Sequence, residues 1–380
     1  MTRIRTTALF LVLGTLEARR PPLAAADADP RAARVDAIVH AAGIDDEGPG
    51  VAVCVLGKAG LLFAKGYGLA DLKKGTKVTR ETTFELASVS KQFAGAALLL
   101  LVERGKVALE DDVRKYLPEI PAYDPKHPIT LHDLSRHTSG LPEYFGFDDP
   151  KREDRDYLTN ADVVSAFAKQ RAKFPLVSTP GEKYEYVNSG YLLMAAVVEH
   201  VSGLSFGAFL KAEVFDPLGM KTAWVNESPK VKTYPSAIGY THGDEGWSPS
   251  WTAPTADHHE QLLTTGDGGL WLSLDDMAAW DAGLRAGKPV KVATWNAALA
   301  PWKSGDGETV AYAAGWHAEY DDRGEILVVW HDGSWSGFQN YIGRDVFKGR
   351  TVIVLSNRGG FDPAKLAESV AAVFEDPSPR

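Results

Sequence analysis

Apolar positions first recur at helical spacing at Val35, Ile38, Val39 and Ala42, and Gly43 closes that short segment. The apolar runs Val51 to Leu56 and Leu61 to Leu69 flank the turn Gly57-Lys58-Ala59-Gly60 and predict a hairpin. From Ser88 to Arg104 strong helix formers are apolar on nearly every face, which predicts a buried helix stopped by Gly105. Between Leu109 and Gly181 the chain is rich in Pro, His and Asp, with short helical pieces such as Ala161 to Lys173 and no strand alternation. Two further helical runs, Gly190 to Val201 and Phe206 to Phe215, are separated by Ser202-Gly203, and Pro217-Leu218-Gly219-Met220 ends the second. The stretch from Lys221 to Thr265 reads as loop, with Tyr, Trp and Pro suited to the walls of a cleft. Four strand candidates follow: Tyr312 to Tyr320, Ile326 to Trp330, Phe338 to Gly343 and Thr351 to Ser356. Pro363 to Phe374 is a last helix.

Strands at both ends with helices between them predict an α/β fold of the α+β type. An antiparallel sheet is assembled from the two chain ends, flanked by helices, with a mostly helical domain inserted. The expected division is a sheet domain of residues 27–87 and 305–380 and a helical domain of residues 88–304. No internal repeat or low-complexity segment is visible.

The strongest chemical signal is Ser88-Val89-Ser90-Lys91, an S-x-x-K at the start of the buried helix. Residues three apart share a helix face, so the amine reaches the serine oxygen and eases its deprotonation. The helix N-terminus favours developing negative charge. By itself the motif also fits an N-cap serine followed by a surface lysine. A surface lysine fits poorly beside Phe93, Ala94 and Leu98, however, and a buried one loses pKa and can serve as a base.

Further on, Tyr186-Val187-Asn188 precedes a helix, and His331-Asp332-Gly333 lies between two strand candidates. S-x-x-K, Y-x-N and [K/H]-x-G in this order resemble the penicillin-recognising serine hydrolases, and within them the class C beta-lactamase-related group of DD-carboxypeptidases, D-aminopeptidases and family VIII esterases. Supporting stretches are Phe84-Glu85-Leu86-Ala87, His137-Thr138-Ser139-Gly140-Leu141-Pro142, Pro217-Leu218-Gly219-Met220, Gly268-Gly269-Leu270 with Asp276-Met277 and Trp280, and Gly315-Trp316. The resemblance covers about residues 35 to 372 and implies a beta-lactamase/transpeptidase-like fold with the site between two domains.

Carried over residue by residue, it implies Ser88 as nucleophile, Lys91 as its activating neighbour, and Tyr186 as the phenol that shuttles the proton and later activates water. An ordinary tyrosine has a pKa of ~10, so Tyr186 is expected to need a nearby cation such as Lys91. Asn188 would orient Lys91 and bind the acyl part of the substrate. Gly333 would let the substrate backbone approach, and the amides of Ser88 and Ser334 would form the oxyanion hole. His331 stands where class C lactamases carry lysine. A mostly neutral imidazole attracts a substrate carboxylate less, although some DD-peptidases of the group share the histidine. Tyr144 is a further candidate for the substrate pocket.

Other features read more plainly. Gly203-Leu204-Ser205-Phe206-Gly207 spells G-x-S-x-G, but a helical run precedes it where a nucleophile elbow needs a strand. Asp257-His258-His259-Glu260 lacks metal-ligand spacing, and His127, His132 and His137 fall five apart, off any common helix face. Cys54, the only cysteine, sits in an apolar strand and reads as a buried thiol.

Composition sets the outer limits. With 380 residues, 44% hydrophobic and 24% charged, the chain is long enough for two or three folding units and is neither disordered nor a disulfide miniature. Behind Arg3 and Arg5, the apolar run Thr6 to Leu16 is far short of the ~20 residues of a spanning helix. It resembles a secretory signal ending near Ala24-Ala25-Ala26, which predicts a leader of residues 1–26 and a secreted or periplasmic protein. A cut there removes four arginines and one glutamate and moves the net charge from −9 to −12, which argues against nucleic acid as a partner. The expectation is therefore an exported serine hydrolase, without metal or organic cofactor, that acylates Ser88 with a small ester, amide or peptide. Ester or small-amide chemistry is favoured over D-peptide or beta-lactam cleavage. A catalytically silent binder on the same fold is the rival from another class, and the intact Ser88, Lys91, Tyr186 and Asn188 set speaks against it.

Overall fold

A computed structural model describes residues 30–146, 157–228, 234–250 and 261–375. The expected leader and the Asp257 to Glu260 stretch lie outside the described residues.

Seven strands form one antiparallel sheet: β1 (Val51–Gly57), β2 (Gly60–Tyr67), β3 (Tyr312–Ala313), β4 (Trp316–Tyr320), β5 (Ile326–Trp335), β6 (Phe338–Asp345) and β7 (Arg350–Ser356), in the order β3-β4-β5-β6-β7-β1-β2. The N-terminal hairpin enters the sheet because β1 pairs with β7, Val51 opposite Ser356 and Leu56 opposite Thr351. Both faces of β1 are covered, which is why it reads as an unbroken apolar run. Val51, Val53 and Val55 pack beneath the helices α1 (Pro30–Ala41) and α7 (Pro363–Val373), whereas Ala52, Cys54 and Leu56 belong to the larger core on the other side. Burial pushes the Cys54 thiol far up, so the side chain is inert, as its setting predicts.

The larger core joins the sheet to the helices α2 (Lys91–Glu103), α3 (Leu131–Arg136), α4 (Asn188–Ser202), α5 (Leu274–Arg285) and α6 (Val292–Leu299). Helix α2 is buried on nearly all faces; Phe93 stacks on Trp280 of α5 at 4.5 Å, and the indole N–H of Trp280 donates to Gln92 at 3.0 Å.

Two expectations change. The division at residue 304 does not follow the packing, because α5 lies against β1, β2 and β7 and so belongs with the sheet. A small sheet also crosses the boundary at residue 87, Thr83–Glu85 pairing with Leu270–Ser273, which pairs with Trp224–Val225. The second change concerns the third motif. Strand β5 runs on through His331 to Trp335, pairing His331 with Ile342 and Gly333 with Asn340, so the motif lies within a strand and not between two.

Among the described residues no single helix is long and apolar enough to cross a membrane; the bent pair Asn188–Ser202 and Phe206–Leu218 reaches that length and composition only when taken together. Most of α4 is buried in the core.

Candidate active site

The nucleophile region begins with a backbone constraint. Ala87 has φ of 51°, a left-handed conformation that costs a residue with a Cβ about 1 kcal/mol or more. The bend is held by Glu85, which accepts from the amides of Ala87 (2.8 Å) and Gly269 (3.0 Å). Ser88 then sits in the 3-10 turn Ala87–Ser90, partly open to solvent, and Lys91 opens α2.

Lys91 is fully buried, and its Nζ lies 3.0 Å from Ser88 Oγ, 2.7 Å from Asn188 Oδ1 and 3.0 Å from the carbonyl oxygen of Asp267. Desolvation lowers its pKa to about 8, against the opposing pull of Asp267, Glu143, Glu85 and Asp332. A neutral amine has two N–H bonds and one lone pair. Asn188 Oδ1 and the Asp267 carbonyl can take the two N–H bonds, which leaves the lone pair for the Ser88 hydroxyl.

Asn188 opens α4, and its backbone N–H (2.9 Å) and Nδ2 (3.0 Å) both donate to Glu143 Oε2. Glu143 thereby fixes which way the amide faces, with Oδ1 toward Lys91. Tyr186, 39% exposed, walls the cleft; its hydroxyl shares a hydrogen bond with Ser88, and Lys91 Nζ lies 5.0 Å from its ring centre. The expected lowering of its pKa by Lys91 does not occur. Desolvation, reinforced by Asp332, Asp267 and Glu143, pushes the phenol above its ordinary value, so Tyr186 is a protonated donor at neutral pH.

The third motif departs furthest from expectation. His331 is buried, its Nδ1 2.5 Å from the Asp332 carbonyl and its Nε2 2.9 Å from the Tyr312 hydroxyl. Burial and the nearby Lys91 charge hold it well below the ordinary imidazole range, so it is neutral. It anchors a ring cluster, with Tyr312 edge-on to Tyr186 at 6.0 Å and His137 4.2 Å from Tyr186. Gly333 does allow close approach, but of the chain itself: a Cβ there would lie 2.3 Å from the Leu86 carbonyl oxygen and 3.2 Å from the Ser88 amide nitrogen. Ser334, exposed on the same strand, accepts from Gln339 Nε2 at 2.9 Å.

Tyr144 is not at the cleft surface. It is buried, donates to Asp267 Oδ2 at 3.0 Å and lies 3.0 Å from Thr264 Oγ1, so it positions the residue whose carbonyl holds Lys91. Its neighbour Phe145, 47% exposed, stacks with Trp335 at 5.7 Å.

Several residues of the site carried no role in the sequence: Glu85, Glu143, Asp267 and Tyr312. Glu85 lies inside a quoted motif stretch and Glu143 and Asp267 each adjoin one, and that was the available signal. Burial raises Glu85 to about 7 and Asp267 to about 6.

The decoys fall away from this cluster. Ser205 N-caps the helix Phe206–Leu210, accepting from the Ala208 amide at 3.2 Å and donating to Glu227 at 2.6 Å, in a helix-turn-helix setting. Among the described residues no group of His, Cys, Asp and Glu could hold a metal ion. His127 pairs with Asp124, His132 with Arg136, and His137 lies in the ring cluster.

The chain is 29% identical over 308 residues to Penicillin-binding protein 4* of Bacillus subtilis, covering 78% of this chain and 66% of that protein. It is 27% identical over 355 residues to the D-aminopeptidase of Gluconobacter oxydans, covering 92% of this chain and 63% of the relative. The chain thus spans slightly less than two thirds of the length of these curated relatives. The solved octameric penicillin-binding protein homologue from Pyrococcus abyssi superposes with a TM-score of 0.73 at 27% identity, over 90% of this chain and 76% of the other. Residues 35–374 match the Beta-lactamase family, and with that match the chain belongs to the beta-lactamase family of hydrolases.

Proposed function

We propose that this protein is a serine hydrolase that acylates Ser88 with an ester or small amide and releases the acyl group to water. The observation that carries the reading is the buried Lys91 amine, 3.0 Å from Ser88 Oγ and fixed from behind by Asn188 and the Asp267 carbonyl. With a pKa of about 8, about a tenth of the lysine is neutral at pH 7 without any partner deprotonating it.

In the acylating step Lys91 takes the Ser88 proton as Oγ attacks the carbonyl carbon. The amides of Ser88 and Ser334 receive the oxyanion. Tyr186 donates its proton to the departing oxygen or nitrogen, and the lysinium beneath its ring stabilises the phenolate and restores the proton. Water retraces the path: as it attacks the acyl-enzyme it gives a proton to Tyr186 while Tyr186 passes its own to Lys91, and the lysinium returns a proton to Ser88 Oγ as the acyl–oxygen bond breaks.

The charge around the site supports substrates that do not depend on a carboxylate. His331 is neutral and engaged with Tyr312, and the charged groups acting on Lys91 are the carboxylates Asp267, Glu143, Glu85 and Asp332. A D-peptide C-terminus or a beta-lactam carboxylate would meet this field unfavourably. The same field suits a substrate with a free ammonium group, so hydrolysis of amino-acid amides is the second reading, in keeping with the D-aminopeptidase relative. Export through a leader of residues 1–26 belongs to the same proposal; N-terminal sequencing of protein recovered outside the cytoplasm tests it.

The test of function compares the purified protein with Ser88→Ala on a short-chain aryl ester, an amino-acid amide, a D-Ala-D-Ala peptide and a chromogenic cephalosporin. Ser88-dependent turnover of the ester or the amide is expected to exceed that of the other two. Preference for the peptide or cephalosporin would remove the argument from charge.

A further inference from the structure

Away from the catalytic cleft, a cavity of about 240 Å³ opens between α5, α6 and the sheet. Its apolar wall includes Trp295 and Leu299 of α6, Trp316 of β4 and Val329 of β5, all nearly fully buried as residues yet facing the cavity. Exposed apolar side chains stand at and beside its mouth: Val292 and Val346, 47% and 50% exposed, line it, and Phe347 follows in the chain at 77%. Apolar surface gathered around an opening marks a binding site more often than scattered exposure does.

The polar groups in the cavity are uneven. Asp281 is shared by two guanidinium groups, Arg285 Nε at 2.6 Å and Arg344 Nε at 2.8 Å, so one carboxylate meets two cations. Arg285 is fully used, since its other nitrogens donate to the Gly349 carbonyl and to Thr351 Oγ1. Arg344 is not. Its side chain is 17% exposed and lines the cavity, and among the described residues its two terminal nitrogens have no acceptor. The other carboxylate on the cavity, Asp345, accepts from the Lys348 amide at 2.7 Å at the rim, and Lys348 Nζ lies 3.7 Å from it and 2.9 Å from Glu375. The indole N–H of Trp295 is buried without a partner among the described residues.

We propose that this cavity binds a small amphiphilic carboxylate. The carboxylate is held by the terminal nitrogens of Arg344, and the hydrocarbon part lies on Trp316, Leu299 and Val329. A planar guanidinium whose two terminal nitrogens are free presents one edge of paired N–H donors that matches a carboxylate. The cavity falls below the ~300–1,000 Å³ of drug-sized sites, so the ligand is small, such as a medium-chain fatty acid or an arylalkanoic acid.

Calorimetric titration of the whole protein with octanoate, and with 1-octanol as its uncharged counterpart, tests the proposal. One saturable octanoate site is expected, with 1-octanol at least about tenfold weaker. Arg344→Met should weaken octanoate about tenfold or more. Val292→Trp, at an exposed position that leaves the ion network intact, should close the mouth and abolish binding while leaving ester hydrolysis unchanged. Absence of saturable octanoate binding overturns the proposal. So does an octanoate affinity that Val292→Trp leaves unchanged, which would place the ligand elsewhere, or equal affinity for 1-octanol, which would remove Arg344 from recognition.

Discussion

Gly333 lies so close to Leu86 that a Cβ on the glycine would stand 2.3 Å from the leucine's carbonyl oxygen. Strand β5 and the turn carrying Ser88 therefore touch backbone to backbone, and the spacing between the Ser88 and Ser334 amides depends on that contact. Gly333→Ala should force the two apart. A loss of about 1–3 kcal/mol in urea unfolding is expected from overpacking, together with a fall in kcat larger than any change in KM. Unchanged kcat would show that the contact does not set the geometry of the reaction.

In the proposed mechanism the neutral form of Lys91 is the base, and its folded pKa is lowered to about 8. The rate kcat/KM should therefore climb about tenfold per pH unit below about 8 and level off above it. A flat profile from mildly acid to mildly alkaline pH would remove Lys91 as the base.

Asp267 acts on that profile from behind. Its negative charge raises the Lys91 pKa against desolvation, and its own pKa of about 6 keeps it largely ionised at neutral pH. Asp267→Asn keeps the backbone carbonyl and an acceptor for Tyr144 but removes the charge. The acid limb should move to lower pH, with activity retained. An unmoved limb would mean that the Lys91 pKa is set without this carboxylate.

Tyr186→Phe removes a proton donor that is held in its neutral form. A fall in kcat of about 10²–10⁴-fold with little change in KM is expected for a lost general acid. The loss should be smaller for aryl esters, whose leaving groups need no proton, than for amides. Equal losses on both would argue for a role in binding.

Ser205 and Ser88 make a paired control. Ser88→Ala should abolish turnover, whereas Ser205→Ala should preserve it and cost about 0.5–2 kcal/mol, because Ser205 caps a helix. Steady-state assays and thermal unfolding on both variants check this.

The legible parts of this protein were those set by neighbours along the chain. The positions of Ser88 and Lys91 on consecutive turns follow from helix geometry alone, and β1 announces itself because burial on both faces leaves no polar position in it. The order of the three motifs was enough to indicate the family and the fold. What escaped the sequence was set by contacts between distant segments. In β5 the alternation runs from buried His331 through exposed Asp332 to buried Gly333 and exposed Ser334; with no apolar side chain among them, hydrophobic periodicity cannot register the strand. Asp267 serves through a backbone carbonyl that any residue could supply, and Glu143 through the amide of Asn188, so neither role has a residue signature. Whether His331 was a cation at the cleft or a neutral anchor behind it depended on its burial and on Tyr312, both products of packing. Local sequence determined which groups are candidates for the chemistry; the charge state of each was decided by tertiary structure, because desolvation and neighbouring charge arise only when remote segments meet.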